Sequence, residues 1–152
     1  MSFKVFLLNL LLLVFLAGCT EAKVEKVVIY SGDGKLNITD QKQLQAVTET
    51  ISGLTMNIDD VFQVILTPSQ ISEIINNEYG IEIQYSHTQK VYRVNNNHPI
   101  SFNKIYIPFS GKYSKFGVVY FFGDDEGYGG LPPYVTKEGL HELKRLVQNM
   151  EK

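Results

Sequence analysis

The sequence predicts an α+β fold, with a mostly antiparallel sheet and about three helices, the last at the C-terminus. Three observations carry that expectation. Apolar and polar residues alternate through Ile81-Glu-Ile-Gln-Tyr85, the period of a strand with one wetted face. Leu44, Val47, Ile51 and Leu54 recur at helical spacing, and so do Leu140, Leu143, Leu146, Val147 and Met150. Strand-like runs in the second half are separated by short turn segments, which favours hairpins over parallel crossovers. Composition agrees: 152 residues, 44% apolar and 20% charged, suit one domain, and no repeat or linker divides it.

Taken in order, Val27-Val-Ile-Tyr30 reads as a buried strand and Ser31-Gly-Asp-Gly34 as a tight turn. Asp40 caps the first helix, with Gln43 three residues on and Gly53 near its end. Asp60 to Leu66 is rich in β-branched residues and predicts a second strand. Thr67 then caps a short helix with Pro68 at its first position and Gln70 completing a capping box; Ile71, Ile74 and Ile75 form its apolar face, and Asn76-Asn77 end it. Ile81 to Tyr85 and Val91 to Val94 predict a hairpin, which leaves His87 and His98 in turns. Lys104 to Phe109 and Gly117 to Phe122 predict two more strands around the turn Ser110-Gly-Lys-Tyr113. Thr136 opens the last helix, whose Arg145 and Lys152 suit its negative end. The helices are expected to cover one face of the sheet.

Ahead of this domain stands a different kind of segment. Lys4 leads an apolar run from Val5 to Leu16, interrupted only by Asn9, and the run closes in Leu16-Ala17-Gly18-Cys19. It is shorter than the roughly 20 residues that cross about 30 Å of hydrocarbon. The closing residues are similar to the lipobox of bacterial lipoproteins, where a diacylglyceryl group joins the cysteine thiol and a signal peptidase cuts before it. The resemblance implies a signal peptide over 1–18, a lipidated N-terminus and short tether over 19–26, and one α+β domain over 27–152. It also implies lipid attachment at Cys19 and an extracytoplasmic place on the cell membrane or outer membrane. Cys19 is the sole cysteine, so lipidation leaves no thiol for redox chemistry. The order of elements in the domain resembles small uncharacterised lipoproteins of bacteria, but brings no motif that lends catalytic residues.

Several chemistries find no support. A formal net charge of -2 gives no positive field to gather nucleic acid. One cysteine and three scattered histidines do not fill a zinc cage, and His141-Glu142 lacks the second histidine of a zincin helix. Ser31 and Ser110 lie outside any nucleophile elbow, and no phosphate-cradling or dinucleotide loop occurs. No cofactor or metal is expected, and the domain is read as non-catalytic.

The most conspicuous local feature is Gly123-Asp-Asp-Glu-Gly-Tyr-Gly-Gly-Leu-Pro-Pro-Tyr134. Asp124, Asp125 and Glu126 offer hard oxygen atoms, but not at EF-hand spacing. The plain reading is a solvated acidic turn. The functional one is a partner-contact surface in which Tyr128 and Tyr134 add amphipathic rings. Tyr106, Tyr113 and Tyr120 read as sheet packing with wet hydroxyls, or as an aromatic face bordered by Lys112 and Lys115. The expected function is a membrane-anchored module that binds a protein or envelope ligand. The alternatives are an inhibitor or immunity-type protein that blocks an enzyme or toxin, and a hydrolase using the acids of the 123–134 loop.

Overall fold

The central strands carry apolar side chains on both faces, and that decides how the layers stack. In the computed structural model, which describes residues 23–32, 34–56, 58–93, 96–123, 133–136 and 140–151, Val27 and Ile29 point into one apolar cluster while Val28 and Tyr30 point into another. Val119 and Phe121 divide from Val118, Tyr120 and Phe122 in the same way. This is the two-residue period of a strand working on both sides at once.

The elements are β1 (Val24–Ser31), β2 (Gly34–Ile38), α1 (Gln41–Thr55), β3 (Ile58–Val61), α2 (Pro68–Asn77), β4 (Gly80–Arg93), β5 (Asn96–Pro108), a 3-10 turn (Ser114–Phe116), β6 (Val118–Phe122), β7 (Tyr134–Thr136) and α3 (Leu140–Met150). Seven strands form one sheet in the order β2-β1-β4-β5-β6-β7-β3, and every neighbouring pair is antiparallel. The expected α+β class, antiparallel sheet and C-terminal helix are all present. α1 and α3 bury Val47, Ile51, Leu54, Leu143 and Val147 against one face. α2 buries Ile71 and Ile75 against the other. The expectation that helices cover a single face is therefore corrected: strands buried on both sides need a cover on both.

The helix starts follow their sequence signals closely. The Asp40 carboxylate accepts from the backbone N–H groups of Lys42 and Gln43 at 3.1 and 3.0 Å. Thr67 and Gln70 make the reciprocal capping box, at 3.3 Å into the threonine hydroxyl and 2.9 Å into the glutamine carbonyl oxygen, with Pro68 at the first position.

β2 (Gly34–Ile38) is an unexpected strand, and the elements depart from expectation in four further places. First, Ile81 to Tyr85 and Val91 onward belong to one long strand, β4, rather than to a hairpin. Its pairing to β5 steps from Gln84↔Lys104 to Gln89↔Phe102, so β4 spends five residues where β5 spends two. A bulge absorbs the excess. His87 is exposed within it, and His98 lies in β5, so neither histidine occupies a turn between short strands. Secondly, β3 stops at Val61 because its only partner, β7, offers three residues, Tyr134–Thr136. Beyond it Val64 N–H turns back to the Phe62 carbonyl at 2.7 Å, and Ile65 is 98% exposed. Thirdly, Tyr134–Thr136 is itself a strand that no alternation announced. Lastly, Thr136 does not cap a helix: its N–H donates to the Gly117 carbonyl at 3.0 Å, and α3 begins at Leu140. Gly117 adopts φ +68°, and a Cβ there would lie 2.7 Å from the Thr136 carbonyl oxygen, so glycine is required on both counts.

Leu143 is fully buried between α1, α3 and the sheet, whereas Gln148 is exposed on the same helix. Leu143→Ala should cost about 2–5 kcal/mol, the sum of lost transfer energy and a residual cavity. Gln148→Ala should stay within about 0.5 kcal/mol. Chemical denaturation measures both, and equal midpoints for wild type and Leu143→Ala would contradict this packing.

Candidate functional site

The topology gathers several features at one end of the sheet. β1 starts there, with Val24 opposite Tyr85, and the Ser86 N–H and hydroxyl both donate to the Lys23 carbonyl at 3.1 and 3.3 Å. β4 passes this point and continues into the two-stranded β4–β5 ribbon. β6 runs toward the same end, where Phe122 pairs with neither β1 nor β4 but with Lys104 of β5. The chain therefore leaves β6 at Gly123 and re-enters the sheet at Pro133, whose carbonyl accepts from Phe62 N–H at 2.8 Å, on the side of the sheet from which β1 emerges.

Of the sequence-predicted site residues, Cys19, Asp124, Asp125, Glu126 and Tyr128 lie outside the described residues. Tyr134 is described, and it corrects the expectation of a surface ring. It is 7% exposed, and its ring meets Phe121 edge-on at 5.7 Å within the core. In β7 its side chain falls on the α1–α3 face, where a large ring stabilises the core by burial. The contact surface proposed for the 123–134 loop therefore loses one of its two rings.

Two concave surfaces lie at this end. A groove of 1160 Å³ runs between the start of β1 and the outer side of α1, lined in part by Lys23, Glu25, Lys42, Gln45, Glu49 and Ser86. Lys23 and Glu25 on the β1 side and Lys42 and Glu49 on α1 balance its charge, and Gln45 Nε2 donates to Glu49 Oε1 at 2.9 Å, so the groove offers polar contacts without a dominant charge. A smaller cleft of 340 Å³ separates the C-terminus of α1 from the ribbon and includes Met56, Tyr85, Val91 and Phe102. Met56 is 75% exposed and Tyr92, also on this cleft, 56%. Sequence reasoning missed both surfaces. The signal available was the exposed Tyr92 beside Lys90, which a hairpin boundary drawn at Val91 obscured.

The opposite face, beneath α2, holds a layer of phenols and carboxylates. The Tyr30 hydroxyl donates toward Glu82 Oε2 at 3.4 Å, and the Tyr106 hydroxyl toward the Glu78 carbonyl at 3.5 Å. Burial pushes the Tyr106 and Tyr120 hydroxyls well above the ordinary tyrosine range, with the Glu78 charge adding to it. The expected wet hydroxyls are thus buried, and these tyrosines pack the sheet. Tyr113 is half-buried, with the Lys112 ammonium 5.1 Å from its ring. Ser110 also proves structural, its hydroxyl accepting from Tyr79 N–H at 2.8 Å.

Glu78 sits where α2 meets the 110–113 turn. A Cβ on Gly111, which adopts φ +82°, would collide with the Glu78 carboxyl group, so the glycine makes room for it. Glu78 Oε2 and the Tyr120 hydroxyl are buried and make no hydrogen bond. Among the described residues no three His, Cys, Asp or Glu side chains converge as metal ligands, and no helix is long and apolar enough to cross a membrane. Compared with protein-family models, curated proteins and solved structures, the chain matches none.

Burial is the larger influence on the Glu78 carboxyl and holds it above its ordinary value of 4.5, while the Lys112 backbone N–H draws it down. The folded state therefore favours the protonated acid more than the unfolded chain does. Its contribution to stability is full below the ordinary glutamate range and is lost as pH rises through the raised value. Glu78→Gln removes that loss. Denaturation midpoints across a pH series should show the variant gaining on wild type from acid to neutral pH, whereas a difference constant with pH would contradict the assignment.

Proposed function

We propose that this chain is a bacterial lipoprotein, fixed to the outer side of a membrane through lipid on Cys19, whose α+β domain is a non-catalytic module that binds a protein or envelope ligand. The single observation carrying the reading is Leu16-Ala17-Gly18-Cys19 at the end of a lysine-led apolar run. Two or three acyl chains, at about 0.8 kcal/mol per buried methylene, hold a protein to a bilayer far more firmly than one. The domain then works within a few residues of the surface, because β1 begins at Val24. The binding face assigned to it is the sheet end where β1 starts and where the 123–134 connection leaves and returns. Mixed-charge and apolar concavities there suit recognition of a macromolecular surface better than capture of a small ion.

Labelled palmitate tests the anchor. Wild-type protein should incorporate label and fractionate with membranes. Cys19→Ser should lose the label while keeping the domain's denaturation midpoint. Unlabelled wild-type protein with an intact N-terminus would sink the reading.

The binding role is tested by crosslinking in intact cells, followed by kinetics against the protein recovered. Replacing Asp124, Asp125 and Glu126 by Asn, Asn and Gln should slow association with a basic partner and weaken its salt dependence, while Tyr128→Ala should mainly speed dissociation. Unchanged kinetics in both variants would remove the loop from the binding face.

A further inference from the structure

We infer that the β4–β5 ribbon is a second membrane contact, lying with its Lys90 and Tyr92 face against lipid headgroups while Cys19 holds the chain in the same bilayer; the inference rests on the lipid-anchor reading above. Among the described residues, β4 and β5 have no strand neighbour beyond Val24↔Tyr85 on one side and Phe122↔Lys104 on the other. One face of that pair is already used. Val91, Ile100 and Phe102 are 8, 5 and 3% exposed and belong to the core cluster beneath α1. The other face carries the cross-strand pairs Lys90↔Ser101 and Tyr92↔Pro99, and all four residues are exposed. A cation and an amphipathic ring two positions apart on one strand, both exposed, have the chemistry of the lipid–water interface.

The geometry brings a bilayer to this face. β1 and β4 are antiparallel, so β1 followed backwards from Val24 to Lys23 points in the direction in which β4 continues. Cys19 is four residue steps from Lys23, which fully extended span about 14 Å. From Gln84, opposite Lys104, to Tyr92, opposite Pro99, β5 advances five residues, or about 16 Å. Lys23 already lies at Ser86, two residues of β4 beyond Gln84, so the extended tether reaches past the level of Tyr92 and a bent one ends near it. A membrane that holds Cys19 is therefore within reach of the ribbon at the level of Tyr92. Phe116, also exposed, sits beyond the opposite end of the sheet, next to Gly117 at the start of β6.

The chain contains no tryptophan, so single replacements report position directly. Tyr92→Trp and Phe116→Trp are made in the full lipidated chain, which is reconstituted into phosphatidylcholine–phosphatidylglycerol vesicles with or without brominated acyl chains. Both sites are exposed, and denaturation midpoints equal to wild type establish that the variants fold. The Tyr92→Trp emission should shift to the blue and be quenched by brominated lipid several-fold more than that of Phe116→Trp. Equal quenching at the two sites, or an unquenched Tyr92→Trp in protein that carries palmitate label and floats with vesicles, overturns the ribbon contact and leaves the anchor standing. A chain that neither takes up label nor floats overturns both.

Discussion

The demand of β1, β4, β5 and β6 for burial on both faces sets the rest of this structure. All five side chains of β6 are buried, and Val27 to Tyr30 of β1 likewise. A sheet of this kind is stable only between two layers. One layer comes from α1 and α3 together, and the other from α2 with the irregular segment after β3, where Phe62 and Leu66 join the second cluster. The aromatic contacts serve the same end. Phe102 meets Phe121 at 4.7 Å and Phe121 meets Tyr134 at 5.7 Å on one face, while Tyr30 meets Tyr106 at 6.0 Å on the other. Each pair ties neighbouring or next-neighbouring strands through geometry that rings prefer.

The second face is the less conventional of the two interiors. It buries tyrosine hydroxyls and two glutamates where the first face has mainly aliphatic groups and phenylalanines. A phenol contributes nearly the area of phenylalanine but must find a partner for its oxygen. Tyr30 finds the Glu82 carboxylate from within the sheet and Tyr106 the Glu78 backbone carbonyl at the end of α2, while the buried Tyr120 hydroxyl finds no partner among the described residues. The same arrangement locates the 110–113 turn, since Tyr79 N–H and Ser110 join the α2 exit to the β5 exit. Close approach at Gly80 belongs to it too: a side chain there would come within 2.7 Å of the Ile107 carbonyl oxygen.

Local signals made much of this fold readable, and non-local ones hid the remainder. Asp40, Thr67, Pro68 and Gln70 act within a single helical turn, so capping chemistry located two helix starts without knowledge of the tertiary structure. The stripe Leu143 and Val147 likewise needed only its own period. The uninterrupted apolar run Val118 to Phe122 was legible as a strand, but its meaning, burial on both faces, depended on where α2 would pack. The β4 bulge was illegible because its cause lies in the partner strand: β5 is shorter over that interval, and nothing in Ser86-His-Thr88 says so. β7 has three residues and lies between β6 and the sequence-distant β3, leaving too short a pattern to recognise. Tyr134 was misjudged for that reason, as a loop residue by sequence but a core residue by pairing.

The sheet is short at both margins. β2 has five residues and β3 four, against fourteen and thirteen for β4 and β5 in the centre. β2 carries Lys35, and on β3 the Asp60 carboxylate accepts the Val61 N–H at 2.7 Å, occupying a donor that an incoming strand would need. A long, flat, apolar margin acts as a template for another copy of the same chain, and brevity, charge and self-satisfied amides are the usual defences. Were the proposed lipid anchor to hold copies on a common surface, they would meet at high local concentration and in a restricted set of orientations, where edge-to-edge growth would be fastest. At β2 and β3, therefore, an incoming strand from another copy finds little to pair with.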